Sequence, residues 1–223
     1  MAEAHAARRV PISGLYALTP EVADTGLLAE RVAAALAGGA TAVQYRNKCA
    51  DAALRLEQAL ALARLCADRA TFIVNDDVEL AAAVGAHGVH LGRDDASLSS
   101  ARNRLGPTAI LGASCYDSLD RAELAVRDGA DYIAFGSFFA SSVKPEARRA
   151  SASLLVAARE RWSAGLVAIG GITPANGGGL LAAGADALAV ISALFDAPDL
   201  CGVTTAARDF SRLFASSNPE SRP

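Results

Sequence analysis

The chain has 223 residues, 52% of them hydrophobic, and a formal net charge of −3 at pH 7. It is long enough for one α/β barrel or two small domains with a sizeable core, and its overall charge does not support binding to nucleic acid or a membrane surface. No apolar run approaches the roughly 20 residues of a membrane span, and no apolar segment typical of a secretory signal opens the chain. We expect a cytoplasmic protein whose four cysteines, which lack C-x-x-C spacing, are free thiols.

Short apolar runs alternate with segments rich in Ala, Leu, Arg and Glu. The runs are continuous rather than alternating, as expected when both faces of a parallel sheet are covered. Eight strands are predicted, at Gly14–Leu18, Ala42–Tyr45, Thr71–Val74, Gly88–Leu91, Ala109–Gly112, Tyr132–Phe135, Leu166–Ile169 and Ala187–Ile191. The clearest helices between them are predicted at Leu27–Leu36, Ala52–Asp68, Val78–Val84, Leu98–Arg104, Leu119–Arg127, Ala152–Arg161 and Ala175–Ala183.

Glycine and proline mark the boundaries of these segments. Gly39, Gly129 and Gly184 each follow a helical run and precede a strand, where a glycine in the left-handed conformation commonly ends a helix. Thr173-Pro174 predicts a helix N-cap followed by proline at the first helical position. The boundaries therefore agree with the alternation of strands and helices.

Strands separated by helices favour βαβ units with parallel pairing. Eight such units predict an α/β fold, a single (β/α)8 TIM barrel over residues 12–215. Residues 1–11 are expected to be a flexible leader and residues 216–223 a flexible tail. A doubly wound open sheet is the alternative, although no Gly-x-Gly-x-x-Gly follows the first strand.

Amide and basic side chains follow the second predicted strand. Gln44, Arg46 and Lys48 alternate along the chain, so on a strand they share one face. Arginine offers phosphate a planar fork of donors, and lysine offers it a mobile point charge. Because apolar residues precede them, we expect the three at the rim of the barrel, where they suit a phosphorylated substrate. A solvated strand end is the structural alternative.

Acidic side chains follow the third and fourth strands. Asn75 and Asp76 close the third strand, Asp77 is expected to cap the next helix, and Asp95 lies in the loop after the fourth. Neighbouring parallel strands end at the same rim, so Asp76 and Asp95 are placed to share a Mg²⁺ ion completed by water and substrate phosphate. Asn and Asp also cap helices often, so a purely structural role stays open.

Three further rim segments are predicted to touch substrate. A hydroxyl-rich loop, Gly136–Lys144, follows the sixth strand, and Gly170-Gly171 ends the seventh. A short helical stretch at Ser192–Phe195 follows the eighth. Glycines allow backbone N–H groups to approach a phosphate, and barrels often bind phosphate after strands seven and eight. His87 and His90 are expected to be packed or hydrogen-bonded rather than metal ligands.

Together these segments resemble the thiamine-phosphate synthase family from about Gly14 to Phe195. Six motifs carry the resemblance, each at a predicted strand end: Gln44-x-Arg46-x-Lys48, Asn75-Asp76, Val89-His-Leu-Gly-x-x-Asp95, the Gly136-to-Lys144 loop, Gly170-Gly171-Ile172 and Ile191-Ser192. The resemblance implies a barrel enzyme that joins a hydroxymethylpyrimidine pyrophosphate to a thiazole phosphate, carboxylated or plain. It further implies a dissociative reaction, in which pyrophosphate leaves before the thiazole nitrogen captures the methylene cation.

The resemblance also implies a role for each matching residue. The cations that stabilise the leaving pyrophosphate would be Arg46, Lys48 and Lys144, and the Mg²⁺ ligands would be Asp76 and Asp95. Gln44 and Asn75 would position the pyrimidine substrate, and Ser114 matches a further substrate contact. The thiazole phosphate would be held by Ser141, Gly171, Ile191 and Ser192, with a backbone N–H from Val143. The implied partners are these small phosphorylated molecules, and self-association into a homo-oligomer is plausible.

The departures from the family pattern lie mostly in the sixth loop. Family members commonly show Gly-Pro-x-Phe-Pro-Thr-x-Thr-Lys there, and this chain has Ser137, Ala140, Ser141 and Val143 at the two proline and two threonine places. Val143 has no hydroxyl but keeps a backbone N–H for phosphate. Arg93 replaces a common glutamine.

Three alternative functions are also compatible with a barrel of this kind. A thiazole tautomerase of the same barrel family would not need the full pyrophosphate and metal set. A non-catalytic binder of thiamine phosphate would not need the two carboxylates and Lys144. An unrelated phosphosugar enzyme would leave Gln44 and Asn75 without a role.

Overall fold

The computed structural model describes residues 12–140 and 149–217, which form a closed barrel of eight parallel strands with helices around it. The strands are β1 Gly14–Leu18, β2 Ala40–Tyr45, β3 Thr71–Asn75, β4 Gly88–Leu91, β5 Ile110–Tyr116, β6 Tyr132–Phe135, β7 Gly165–Ile169 and β8 Ala187–Val190. The helices are α1 Thr25–Ala37, α2 Ala52–Cys66, α3 Val78–Val84, α4 Leu98–Leu105, α5 Leu119–Arg127, α6 Ala152–Arg161, α7 Pro174–Ala182, α8 Ser192–Phe195 and α9 Leu200–Ser217. Across these described residues, no helix combines the length and apolarity that a membrane crossing requires.

The predicted (β/α)8 barrel is confirmed, because β1 pairs in parallel with both β2 and β8 and so closes the sheet. An open doubly wound sheet is thereby ruled out. All eight strands were anticipated, and the largest difference is in β5, which continues to Tyr116 instead of ending at Gly112. All four cysteines are free thiols, as predicted.

Helix α9 was not predicted from the sequence. This helix packs against α1 and α7 and buries Val203, Ala207 and Phe210 completely. Its close approach to Gly38 leaves no room for a side chain there, since a Cβ atom on Gly38 would lie 2.4 Å from the Cβ of Ala207. The helix ends at Ser217, two residues beyond the boundary predicted for the barrel.

The core has two layers, which explains why the strands are apolar on both faces. In β1, Tyr16 and Leu18 point into the barrel, where they join a cluster with Ile73 and Val167. The neighbouring Leu15 and other outward-facing strand residues pack against the helices in a larger cluster. A strand covered on both sides in this way has no polar face to produce an alternating pattern.

Side chains join strands in pairs at the amino-terminal end of the barrel. Oδ2 of Asp131 accepts hydrogen bonds from the Leu111 N–H of β5 and from Arg102, at 2.8 Å each. Asp186 repeats the arrangement with β7, at 2.7 Å, and with Arg159, at 2.6 Å. Between β3 and β4, Nδ1 of His87 accepts from a strand N–H at 2.8 Å, which confirms its structural role.

The predicted helix boundaries also hold. Gly39, Gly129 and Gly184 all have positive φ, at 103°, 94° and 105°. Pro174 is the first residue of α7, and the backbone N–H of Thr173 before it donates to Asn176 Oδ1 at 2.8 Å.

Candidate active site

A cavity of about 410 Å³ opens at the carboxyl ends of the strands. Its lining includes ten of the residues singled out from the sequence, namely Gln44, Arg46, Lys48, Asn75, Asp76, Asp95, Ser114, Gly171, Ile191 and Ser192. The barrel brings them together because parallel strands all end at the same rim. Thirteen residues were given a catalytic, substrate or metal role from the sequence. The remaining three lie outside the described residues, namely Ser141, Val143 and Lys144. The individual roles assigned to these residues remain predictions.

Lys48 and Asp76 form an ion pair at this rim. Lys48 Nζ lies 2.9 Å from Asp76 Oδ2. The backbone of Asp76 is in the left-handed region, with φ of 64°, and its N–H donates to the carbonyl of His90 at 2.8 Å. Aspartate tolerates this conformation better than most residues, and here it turns the carboxylate toward β4.

The carboxyl groups of Asp76 and Asp95 lie close enough for each to shift the pKa of the other. Burial and the bond to Asp76 raise the pKa of Asp95, although the Gly92 N–H donates to its Oδ2 at 2.7 Å. Burial also opposes ionisation of Asp76, but Lys48 and Asp95 outweigh it and hold the pKa of Asp76 below its ordinary value. Two carboxyl groups this close share a proton or a cation.

The carboxylates of Asp76 and Asp95 are suitable ligands for a hard divalent cation. Mg²⁺ prefers oxygen ligands and is commonly held by one or two carboxylates, with water and substrate phosphate completing its shell. Asp76 and Asp95 supply two carboxylates, and a cation between them would relieve their mutual repulsion. Within residues 12–140 and 149–217, no cluster of three or more His, Cys, Asp or Glu side chains offers a fuller cage.

Contacts between the loops after β1 and β2 hold Arg46 at the cavity. Its Nη1 lies 2.5 Å from Glu21 Oε1. The Thr19 hydroxyl accepts from the Arg46 N–H at 2.9 Å and donates to the Arg46 carbonyl at 3.0 Å. The other oxygen of Glu21 accepts from the Cys49 thiol at 2.8 Å. Thr19 therefore holds the backbone of Arg46 and Glu21 holds its guanidinium, which places a positive charge at the rim.

A chain of buried polar side chains forms the floor of the cavity. Gln44 Nε2 donates to the Tyr16 hydroxyl at 2.7 Å, and that hydroxyl lies 3.0 Å from the hydroxyl of Tyr132. The Tyr132 hydroxyl is 3.0 Å from His90 Nδ1, and His90 Nε2 is 2.9 Å from Ser114 Oγ. The expectation that His90 is a hydrogen-bonded core residue is confirmed, and this residue also reaches the cavity wall.

Burial sets the protonation of this floor. It lowers the pKa of His90 to about 4, with the nearby Asp76 charge opposing the shift, so the imidazole is neutral at neutral pH. Burial also raises the pKa of Tyr16 and Tyr132, so both phenols stay protonated. The floor is therefore uncharged, in contrast to the rim.

The two glycines after β7 make room for the loop after β6. Gly170 and Gly171 have φ of 104° and 64°. A Cβ atom on Gly171 would lie 2.4 Å from the carbonyl oxygen of Ala140, and the Phe139 N–H donates to the Gly170 carbonyl at 3.0 Å. These glycines thus bring the start of the sixth loop against the end of β7, and they line the same cavity as Ile191, which precedes α8.

Three residues that shape the site were not predicted from the sequence, namely Tyr16, Tyr132 and Glu21. Tyr16 and Tyr132 stand inside apolar runs, and a phenol buried there needs a hydrogen-bond partner. That requirement was the available clue to a polar floor. Glu21 follows β1 by three residues and gave no pattern of its own.

Comparison with known proteins extends these observations. A family model described as "Thiamine monophosphate synthase" matches residues 15–194. The thiamine-phosphate synthase of Thiobacillus denitrificans is 56% identical over 208 residues, which are 93% of this chain and 97% of that protein. The corresponding protein of Chromobacterium violaceum is 54% identical over 196 residues, covering 87% and 94%.

Among solved structures, the thiamine phosphate pyrophosphorylase from Pyrococcus furiosus superposes with a TM-score of 0.80 and 36% identity. The match covers 92% of this chain and 96% of that one. Similarity in sequence and similarity in backbone therefore point to the same group of proteins over nearly the whole chain.

Proposed function

The chain belongs to the thiamine monophosphate synthase family and acts as a thiamine-phosphate synthase, a transferase; on this premise we propose how its site carries out the reaction. The substrates would be 4-amino-2-methyl-5-hydroxymethylpyrimidine pyrophosphate and a thiazole phosphate, plain or carboxylated. The carbon–oxygen bond to pyrophosphate breaks, and the thiazole nitrogen donates its electron pair to the methylene carbon; a carboxylated thiazole would also lose its carboxyl group as carbon dioxide. The observation that carries the proposal is the pairing of two carboxylates with two cations on one rim, above an uncharged floor.

The basic rim would stabilise the departing pyrophosphate. Negative charge accumulates on the leaving group as its bond breaks, so fixed cations lower the barrier. Arg46 is held by Glu21 and Thr19, and Lys48 lies against Asp76, so both charges are positioned in advance. Lys144 is proposed to add a third charge from outside the described residues.

Asp76 and Asp95 would hold Mg²⁺, which when bound neutralises charge on the pyrophosphate. The contact between the two carboxyl groups supports this assignment, because a shared cation removes their repulsion. Displacement of the Lys48 ammonium from Asp76 toward the pyrophosphate would accompany binding.

The floor and the far wall would bind the two organic parts. Gln44, Asn75 and Ser114 are proposed to contact the pyrimidine. Backbone groups at Gly171, Ile191 and Ser192 are proposed to receive the thiazole phosphate, together with Ser141, Val143 and Lys144. The attacking thiazole nitrogen carries no proton, so the bond can form without a general base. A neutral, hydrogen-bonded His90 is consistent with that requirement.

The proposal is tested by measuring pyrophosphate release with each substrate alone and with both, in Mg²⁺ and then in a chelator. We expect release that needs both the thiazole phosphate and the metal. Release that persists fully in chelator would refute the metal assignment. If thiazole phosphate were isomerised without pyrophosphate release, the site would instead be that of a tautomerase.

The family assignment also supports proposals about where the protein works and whether it self-associates. We propose that the protein works in the cytoplasm, which agrees with four free thiols. Six large apolar side chains are exposed on the described surface, and self-association is proposed to cover some of them.

A further inference from the structure

A buried series of hydrogen-bonded side chains links two residues of the cavity lining. Gln44 on β2 and Ser114 on β5 both line the cavity, and Tyr16, Tyr132 and His90 connect them through four contacts of 2.7–3.0 Å. All three connecting side chains are almost fully buried. Because each contact uses a proton, the direction of one hydrogen bond constrains the next.

With the Gln44 amide oriented as in the structure, counting protons gives the direction of the remaining hydrogen bonds. The Gln44 amide nitrogen donates to the Tyr16 oxygen, which leaves the single Tyr16 proton for Tyr132 and the Tyr132 proton for His90 Nδ1. His90 then carries its proton on Nε2 and donates it to Ser114 Oγ. A proton on His90 Nδ1 would leave the Tyr132 proton buried without an acceptor, which is costly.

Tyr132 makes this chain possible, although it does not line the cavity. It lies on β6, and its hydroxyl reaches His90 on β4 by passing over Gly112 on the intervening strand. A Cβ atom on Gly112 would lie 2.0 Å from Cζ of the Tyr132 ring, so the ring occupies the space of the missing side chain. The ring also stacks on His90 with centroids 5.5 Å apart.

We propose that Tyr132 is a positioning residue that sets the hydrogen-bond direction of the floor, so that Ser114 donates to the pyrimidine while the Gln44 amide oxygen accepts from it. The inference rests on the proposed function for the identity of the ligand. A 4-aminopyrimidine offers a ring nitrogen that accepts beside an amine that donates, which matches this pair. The 4-oxo analogue offers an N–H and a carbonyl, the opposite pattern. The hydrogen-bond direction of the floor therefore selects the aminopyrimidine over its 4-oxo analogue.

The protonation pattern is tested directly by ¹⁵N NMR of histidine in the wild-type protein at neutral pH, with and without the aminopyrimidine pyrophosphate. The chain has three histidines. His87 is an internal reference, because a backbone N–H donates to its Nδ1 and its proton must be on Nε2. A His5→Gln variant removes the third signal. We expect His90 to match His87, and a proton on Nδ1 of His90 would overturn the proposal.

The effect on specificity is tested with Tyr132→Phe, which removes one hydroxyl and keeps the ring. The matched control is Tyr45→Phe, a buried phenol on β2 that donates to Gln58 Oε1, an atom that keeps a second bond from Asn47. We expect Tyr132→Phe to lower kcat/KM for the aminopyrimidine about tenfold, and to lower the preference over the 4-oxo analogue. The KM for thiazole phosphate should not change.

Equal kinetic effects of Tyr132→Phe and Tyr45→Phe would overturn the proposal, as would an unchanged amino-to-oxo preference. The His90 measurement separates this failure from failure of the proposed function. A protein that makes no thiamine phosphate would refute the function, whereas the position of the proton on His90 would still decide whether the chain is directed as described.

Discussion

Lys48 Nζ lies 2.9 Å from Oδ2 of Asp76, so a cation assigned to pyrophosphate contacts a carboxylate assigned to the metal. Both side chains are more than a quarter exposed, at 57% and 28%. An ion pair this accessible contributes at most about 1 kcal/mol to folding. Its consequence is electrostatic, because it holds both charges beside Asp95, where a metal-bound pyrophosphate would need them.

Asp76→Asn keeps the shape of the side chain and removes its charge. We expect kcat/KM to fall at least about 100-fold, with a higher Mg²⁺ concentration needed for half-maximal pyrophosphate release. The matched control is Asp77→Asn, since Asp77 caps α3 by accepting from the Leu80 N–H at 2.9 Å and asparagine caps equally well. Equal Mg²⁺ dependence in the two variants would contradict the metal assignment.

Gly171→Ala tests how the end of β7 seats the sixth loop. Alanine at φ of 64° is strained by about 1 kcal/mol or more, and its Cβ would lie 2.4 Å from the Ala140 carbonyl oxygen. We expect the variant to be less stable than the wild type. We also expect its KM to rise more for thiazole phosphate than for the pyrimidine substrate. Gly178→Ala is the control, because nothing lies within 4 Å of that helical position and alanine there should stabilise the fold by about 0.5–1 kcal/mol. Chemical denaturation measures the stability of both variants, and steady-state kinetics measures KM. Wild-type stability and KM in Gly171→Ala would show that the loop does not rest on this glycine.

Asp131→Ala tests the side-chain hydrogen bonds that join strands at the amino-terminal end of the barrel. It removes bonds from the Leu111 N–H and from Arg102, at 2.8 Å each, so we expect a loss of about 1–3 kcal/mol in unfolding free energy. Activity per folded molecule should be unchanged, because the cavity lies at the opposite end of the strands. Asp128→Ala removes only an exposed pair with Arg127 and should change stability by less than about 0.5 kcal/mol. Equal denaturation midpoints for the two variants would be the contrary result.

Glu21→Gln tests the carboxylate that tethers Arg46. The hydrogen bond to Glu21 raises the pKa of the Cys49 thiol, so at neutral pH this thiol is less ionised than it would be without the carboxylate. Removing the charge should lower that pKa and speed alkylation of Cys49 several-fold, because the thiolate is the reactive form. Cys201, an exposed thiol in the same molecule, is the internal reference. An unchanged ratio of the two rates would mean that Glu21 does not hold Cys49 in solution.

The rim of the site was predictable from sequence because a strand end is visible locally. Apolar runs stop at Gln44 and at Asn75, and a parallel barrel brings such stops together. The floor was not predictable in this way. Tyr132 meets His90 only because Gly112 stands between them in the register of three strands, which no single segment encodes.

Helix α9 illustrates a different limit. Its first turns contain Gly202, Val203 and Thr204, residues with low helix propensity. The segment is helical because Val203, Ala207 and Phe210 find a buried surface between α1 and α7. That surface exists only once the barrel has formed, so tertiary packing rather than local preference determines the helix.

The most direct test of the central claim is to quantify thiamine phosphate and pyrophosphate together, by chromatography, after incubating the protein with both substrates and Mg²⁺. The account predicts that the two products appear in equal amounts and that neither forms when one substrate is omitted. Pyrophosphate formed without thiamine phosphate, or no product from folded protein that binds both substrates, would contradict it.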